Sequence, residues 1–407
     1  MVGRRSERQG RAAAAGGHGR AGRRVASPAQ RAVGVYLHIP FCRAKCPYCA
    51  FVSVVAERGL IKHYLEALQM ELEQAGRWLA QRGACVPTVY IGGGTPTSLE
   101  QGELCRLLGA LGEELPLLAD AEVTVEANPG TVDRRYLAAL LEAGANRLSL
   151  GVQALDNELL RTLGRIHCAE EARQAVRDAQ AAGFPRISVD LMYAIPGQTL
   201  EQWRAALEEV ASWGMGHVSC YSLTYEEGTA LAQAAAAGEV APVDEELELE
   251  MFWLAEEVLG RAGLRRYEIS NFAVPGEECR HNLIYWRGGE YLGLGAGAHS
   301  FVEGWRRANV SSPEEYIAAV RRGKAEAFCE RPTEREQLEE RVMLGLRLTE
   351  GVACAEVVRG LGRELREEFA RRAEELERLG LVEIYAGRIK LTHRGLPVAD
   401  SVVETFF

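Results

Sequence analysis

Six strand-like runs, at residues 33–39, 86–91, 122–127, 147–152, 186–192 and 217–223, alternate with Ala-, Leu- and Glu-rich stretches of helical period such as 60–81, 101–115 and 201–213. Strands that alternate with helices fold as parallel strands joined by right-handed crossovers, with the helices covering the sheet. Six such units make an α/β fold of the incomplete (β/α)6 parallel-barrel type, open on one side; an open doubly wound sheet satisfies the same pattern. Two helices are expected to begin at capping boxes, Ser98-Leu99-Glu100-Gln101 and Thr199-Leu200-Glu201-Gln202. With 407 residues, 47% of them hydrophobic, the chain has material for this unit and an appendage.

After about residue 244 the pattern changes. Residues 247–263 read as a helix, and 265–310, dense in Gly, Asn and aromatics, read as a functional loop region. From 334 onward, helices precede a hairpin-like pair at 382–385 and 388–392 joined by Ala386-Gly387, which suggests a small α+β winged-helix-like unit. The expected division is a disordered Arg/Gly/Ala-rich extension (1–32), a barrel (33–245), a linker region (246–330) carrying His281-Asn282-Leu283-Ile284-Tyr285-Trp286, and a winged-helix-like C-terminal domain (331–407).

Net charge is −10, but residues 1–34 hold eight Arg against one acid, Glu7, so the remainder is more acidic still. Such a body is not built to grip a nucleic-acid backbone. No apolar run of ~18 residues is present, so no transmembrane helix is expected. The extension lacks the apolar region of a secretory signal. Its arginines suit a mitochondrial transit peptide, yet Gly16, Gly17, Gly19 and Gly22 weaken the amphipathic helix that one needs, leaving a cytoplasmic chain as the expectation. Seven cysteines (Cys85, Cys105, Cys168, Cys220, Cys279, Cys329 and Cys354) share no pattern, which fits a reducing compartment rather than a disulfide framework.

The other three, Cys42, Cys46 and Cys49, are spaced C-x3-C-x2-C directly after the first strand. Three thiolates this close can hold an iron–sulfur cluster, leaving one iron of a [4Fe–4S] cube open to a small ligand. A zinc site or a redox pair is the alternative. Zinc motifs usually pair C-x2-C units, and no second C-x2-C or H-x3-H occurs. In barrels the working residues sit at the C-terminal ends of strands. Side-chain alternation there isolates one polar residue on each of three strands, Glu126, Gln153 and Asp190, opposite an apolar face. These suit the hydroxyls of a ribose or the ammonium of an α-amino acid. Gly92-Gly93-Gly94-Thr95 after the second strand lets backbone approach a ligand edge, and Arg165 can pair with a carboxylate.

These residues lie in longer motifs: YLHIPFC (36–42), CPYC (46–49), GGGTPT (92–97), TVEANPG (124–130), SLGVQ (149–153) and DLMYAIPGQT (190–199). Together they resemble the radical S-adenosylmethionine family of oxygen-independent coproporphyrinogen III oxidase, from about residue 33 to the C-terminus. The resemblance implies that Cys42, Cys46 and Cys49 ligate a [4Fe–4S] cluster and that Gly93, Gly94 and Thr95 hold the methionine part of S-adenosylmethionine. Glu126, Gln153, Arg165 and Asp190 would line the rest of that site, with Tyr36 near the cluster. Oxidases of the family carry a further cysteine two residues after the triad; here Phe51 stands there. The HNLIYW run looks like the signature of the family's haem-chaperone branch. That implies a haem site at His281, Asn282, Tyr285 and Trp286, with histidine as axial ligand and the aromatics against the macrocycle; His299 is a second candidate ligand. On its residues alone, the run reads equally as a buried, locally bonded histidine beside core aromatics.

The expected function is therefore haem binding and transfer to an acceptor apoprotein, a membrane-bound respiratory protein being the natural candidate, with peripheral membrane association and either a monomer or a homodimer. The alternatives are radical oxidative decarboxylation of coproporphyrinogen III propionates in haem biosynthesis, and a radical enzyme acting on another substrate with HNLIYW as packing. Whether the chain is an enzyme is left open by the sequence.

Overall fold

The computed structural model describes residues 30–55 and 57–407. The six expected strands are β1 (Gly34–Ile39), β2 (Val86–Gly93), β3 (Leu117–Ala127), β4 (Arg147–Gln153), β5 (Ile187–Tyr193) and β6 (His217–Ser222), parallel and adjacent in chain order. Alternation divides them cleanly. Val35, Leu37, Val89, Ile91, Val125, Leu150 and Val189 are buried under the covering helices. The other face carries Tyr36, Tyr90, Thr124, Glu126, Ser149, Asp190 and Ser219 into the lumen. The Arg58–Gln81, Gln101–Glu114, Ala169–Ala182 and Leu200–Ser212 helices supply the outer layer, pinned where the Trp203 indole donates to the Met251 carbonyl at 2.9 Å.

The sheet does not stop at six strands. β7 (Arg265–Glu268) and β8 (Asn271–Ala273) add antiparallel beyond β6. β9 (Tyr291–Leu294) adds parallel to β1, followed by antiparallel β10 (His299–Val302), β11 (Trp305–Asn309) and β12 (Glu326–Glu330). The loop region expected at 265–310 is thus six short pieces of regular structure, and the HNLIYW run is the Arg280–Trp286 helix. Strands of three to five residues have too little length to show a period of two, and they form by pairing onto existing edges. Gly293 shows how tight that pairing is: a Cβ there would lie 2.1 Å from the His299 carbonyl oxygen.

The expected Thr199 capping box is present, with Gln202 N–H donating to Thr199 Oγ1 and Thr199 N–H to Gln202 Oε1 at 3.2 and 2.9 Å. The Ser98 box is not. Pro96–Ser98 is a 3-10 turn, Ser98 Oγ donates to the Phe41 carbonyl, and the next helix starts after Glu100, whose N–H is capped by Glu103.

At the C-terminus the Glu334–Arg347, Arg363–Arg378 and Ala399–Glu404 helices surround β13 (Val352–Ala353), β14 (Val382–Tyr385) and β15 (Arg388–Leu391), ordered β13-β15-β14. Positive φ at both Ala386 (50°) and Gly387 (76°) gives the two-residue hairpin turn expected there. This unit has its own core of Leu338, Val342, Leu346, Phe369, Leu376 and Phe406. It docks where the Trp253 and His393 rings stack at 3.6 Å and Thr349 N–H donates to the Tyr267 carbonyl at 3.0 Å. Of the Arg/Gly/Ala-rich extension, residues 1–29 lie outside the described residues; Arg31 pairs with Glu290 and Glu303. No helix among the described residues is long and apolar enough to cross a membrane.

Candidate functional site

A cavity of about 950 Å³ opens at the C-terminal ends of the parallel strands and runs down the lumen. Cys42, Cys46 and Cys49, free thiols on the loop after β1, line it together. The loop is held from several sides. Cys42 N–H donates to the Val54 carbonyl (3.0 Å), Val54 N–H to the Pro40 carbonyl (2.7 Å) and Cys49 N–H to the Cys46 carbonyl (3.1 Å). His38 Nε2 bonds the Val52 carbonyl at 2.7 Å, so that Nδ1 accepts from the Tyr36 hydroxyl at 3.0 Å. Tyr36 therefore braces the loop through His38 and is not itself among the residues that line the cavity. The glycine run locks against the same loop: Gly94 N–H donates to Ile39 and Thr95 N–H to Phe41, both at 2.8 Å. Gly93 has φ 113°, and a Cβ there would lie 2.4 Å from the His38 ring.

Burial pushes the Cys42 and Cys49 thiols up, so a metal binding there must displace protons. Arg165 sits beside the triad, its Nη1 3.8 Å from Cys46 Sγ, and supplies the positive charge a thiolate set needs. Among the described residues, no group of three His, Cys, Asp or Glu converges as a single-ion site would require.

The wall beyond the cysteines is polar and pre-arranged. Arg165 Nη2 donates to Asn128 Oδ1 (2.6 Å) and the Gly151 carbonyl (2.8 Å), and Asn128 Nδ2 to Thr95 Oγ1 (2.8 Å). Glu126 accepts from the Tyr90 hydroxyl (2.7 Å) and Gly93 N–H (3.2 Å); burial raises its carboxyl to about 7. Asp190 accepts from Ser149 (2.9 Å) and Ser219 (2.7 Å), and burial raises it as well. Gln153 ends β4 with φ 65°, beyond a register shift, and this left-handed twist turns it onto the cavity. The structure thus gathers Cys42, Cys46, Cys49, Gly93, Gly94, Thr95, Glu126, Gln153, Arg165 and Asp190 around one cavity. Asn128, Tyr90 and the two serines escaped the sequence reading. Asn128 was within reach, one alternation step past Glu126.

The HNLIYW helix lies at the other end of the sheet, under the N-terminal ends of the strands. His281 is 1% exposed. Its Nδ1 pairs with Thr88 Oγ1 and its Nε2 with the Tyr285 hydroxyl, both at 2.8 Å, and its ring stacks on Tyr90 at 5.3 Å. Burial drops its pKa to about 3. Tyr285 packs edge-on against Tyr291, Arg347 lies over the Trp286 ring, and Asn282 reaches the cavity floor. His299 is exposed at the start of β10, away from the cavity lining.

Comparison with known proteins agrees with this geometry. The Radical SAM superfamily model matches residues 36–210, and the HemN C-terminal domain model matches 333–398. The heme chaperone HemW of Bacillus subtilis is 36% identical over 91% of this chain and 98% of its own length. That of Mycobacterium tuberculosis is 38% identical over 91% and 94%. A mouse mitochondrial radical S-adenosyl methionine domain-containing protein is 35% identical over 91% and 86%. Among solved structures, coproporphyrinogen III oxidase (HemN) of Escherichia coli superposes with a TM-score of 0.79 at 25% identity, covering 93% of this chain and 90% of that one.

Proposed function

This chain belongs to the HemW family of radical S-adenosylmethionine proteins, and from that premise we propose that it is a haem chaperone, binding a [4Fe–4S] cluster, S-adenosylmethionine and haem and passing the haem to an acceptor protein. The observation that carries the cofactor half is the joining of three free thiols to a preformed polar wall around one cavity. Cys42, Cys46 and Cys49 hold the cluster. Glu126, Gln153, Arg165 and Asp190 bind the cofactor's polar groups, and Gly93–Thr95 close its edge. When bound, the pair supplies one-electron chemistry. The protein's part is to orient both groups and to keep Asn128, Thr95 and Arg165 fixed as one hydrogen-bonded unit.

The likeness to coproporphyrinogen III oxidase raises the decarboxylation reading. Phe51 argues against it. It stands where the oxidases carry another cysteine, lines the cavity mouth and is 68% exposed. For the haem half, His281, Asn282, Tyr285 and Trp286 are the family-implied residues. His281 can serve as an iron ligand only after giving up the Tyr285 hydroxyl or Thr88. The acceptor we propose is a membrane-bound respiratory apoprotein, met by peripheral association from the cytoplasm, where free thiols survive.

Anaerobic haem titration of the cluster-reconstituted protein tests this, run beside a coproporphyrinogen III turnover assay. The expected outcome is a saturable Soret shift with no protoporphyrinogen formed. Turnover without saturable haem binding would transfer the assignment to the oxidase reading.

A further inference from the structure

The run Gly295-Ala296-Gly297-Ala298-His299 leaves its histidine exposed, and the small residues before it have a different use. They form the turn between β9 and β10, which packs against the cysteine loop. Gly295 has φ 102°, and a Cβ there would lie 2.6 Å from the His38 carbonyl oxygen. Gly297 has φ 68°, and a Cβ there would lie 3.0 Å from a Val52 methyl. His38 and Val52 are the two residues whose mutual hydrogen bond braces that loop. The two glycines thus let one turn reach both ends of the brace.

The Arg58–Gln81 helix holds the turn in place with two side chains, Tyr64 and, two turns further on, Glu71. Tyr64 is fully buried. Its hydroxyl donates to the His38 carbonyl at 2.7 Å and accepts from Ala296 N–H at 2.9 Å, so a single oxygen joins loop to turn. Its ring meets Phe41, the residue before Cys42, edge-on at 5.1 Å. Glu71 Oε2 accepts from Gly295 N–H (2.8 Å) and the Tyr316 hydroxyl (2.6 Å), and Oε1 from the Asn309 amide (2.7 Å). None of these partners carries a charge, and burial raises the Glu71 carboxyl. A carboxylate kept in such a place at a desolvation cost is there for what it holds, and it holds the turn.

We propose that Tyr64 and Glu71 are positioning residues for the iron–sulfur cluster: through the turn at 295–298 they clamp the loop that carries Cys42, Cys46 and Cys49. This rests on the cluster reading of the triad. Neither residue lines the cavity, so both act on how firmly the loop keeps its cargo and not on the thiols themselves. The test follows iron release to a ferrous chelator from the anaerobically reconstituted protein, and the EPR line shape of the dithionite-reduced cluster. It compares the wild type with Tyr64→Phe, Glu71→Gln and Trp203→Phe. The last removes a buried hydrogen bond to the Met251 carbonyl, away from the cysteine loop, and reports what lost stability does by itself. Tyr64→Phe keeps the ring and strands the His38 carbonyl and Ala296 N–H, so iron release should quicken about tenfold and the EPR signal should broaden. Glu71→Gln sets an amide N–H against one of three donors and should act in the same direction. Trp203→Phe should release iron at the wild-type rate. A Tyr64→Phe protein with the wild-type release rate or line shape would overturn the proposal; if that variant does not fold, Glu71→Gln decides in the same way. Equal quickening in Trp203→Phe would also overturn it, reducing the clamp to ordinary fold stability. A wild type that takes up no stoichiometric iron and sulfide would sink the cluster reading itself.

Discussion

At the C-terminal ends of β1–β6 the side chains keep capacity in hand: the cysteine thiols are only partly buried, and Glu126, Asp190 and Arg165 face a cavity. At the N-terminal ends the opposite holds. His281 has both ring nitrogens engaged, a stacking partner and almost no exposure. Both ends carry motifs that chemistry can use, yet one is arranged to receive ligands and the other to hold the sheet together. In parallel barrels that division is general, with reactive groups at one end and stability at the other.

The sharpest way to break this comparison is to remove a thiol. Replacing Cys42, Cys46 or Cys49 by Ala should abolish cluster incorporation, read as iron and sulfide content after anaerobic reconstitution, and leave the melting temperature of the cluster-free protein nearly unchanged. A variant that unfolds would show the strand-end loop to be structural after all.

Next in size is His281→Ala. It strands the Thr88 and Tyr285 hydroxyls and opens a core void, so about 2–4 kcal/mol of unfolding free energy should be lost in denaturant titration. Unchanged stability combined with lost haem binding would reverse the assignment of the two ends and make the histidine a ligand first.

The smallest effect concerns pH and has opposite signs at the two ends. Glu126, raised by burial from 4.5 to about 7, contributes stability that is complete below 4.5 and lost as pH rises through 7. His281, lowered from 6.5 to about 3, contributes stability that is complete above 6.5 and lost as pH falls through 3. Glu126→Gln should therefore flatten the decline of cluster-free stability between pH 5 and 7.5, by on the order of 2 kcal/mol. An unaltered profile would mean that Glu126 stays solvated and that its end of the sheet is wetter than described.

The six parallel strands were legible because each is long enough to show alternation, and Glu126 and Asp190 stood out as polar breaks on it. The triad was legible from spacing. β7–β12 were not, because each is too short to show alternation and because β8 and β9, which tie the others to the sheet, pair with β6 and β1 far away in sequence. The side of the sheet to which HNLIYW belongs was also hidden. Its neighbours Thr88 and Glu122 are more than 150 positions away, and only topology brings them together. Arg347 was invisible for the same reason, lying one domain away from the ring it covers. Ser98 misled because Pro96 two residues earlier favours a tight turn over a helix start.

The chain from β8 to β9 passes from one edge of the open parallel sheet to the other, and touches what it crosses in order. Arg186 and Arg147 meet Glu277 under β5 and β4, Glu122 of β3 accepts from His281 N–H, Thr88 of β2 meets the His281 ring, and Ile284 fits against Gly34 of β1. A stretch of some fifteen residues is therefore a hoop around a barrel that the hydrogen bonds of the sheet never close. Amide hydrogen exchange in the Arg280–Trp286 helix should then track the breathing of the whole barrel rather than of its own single turns, since the hoop cannot loosen at one point without letting several staves spread.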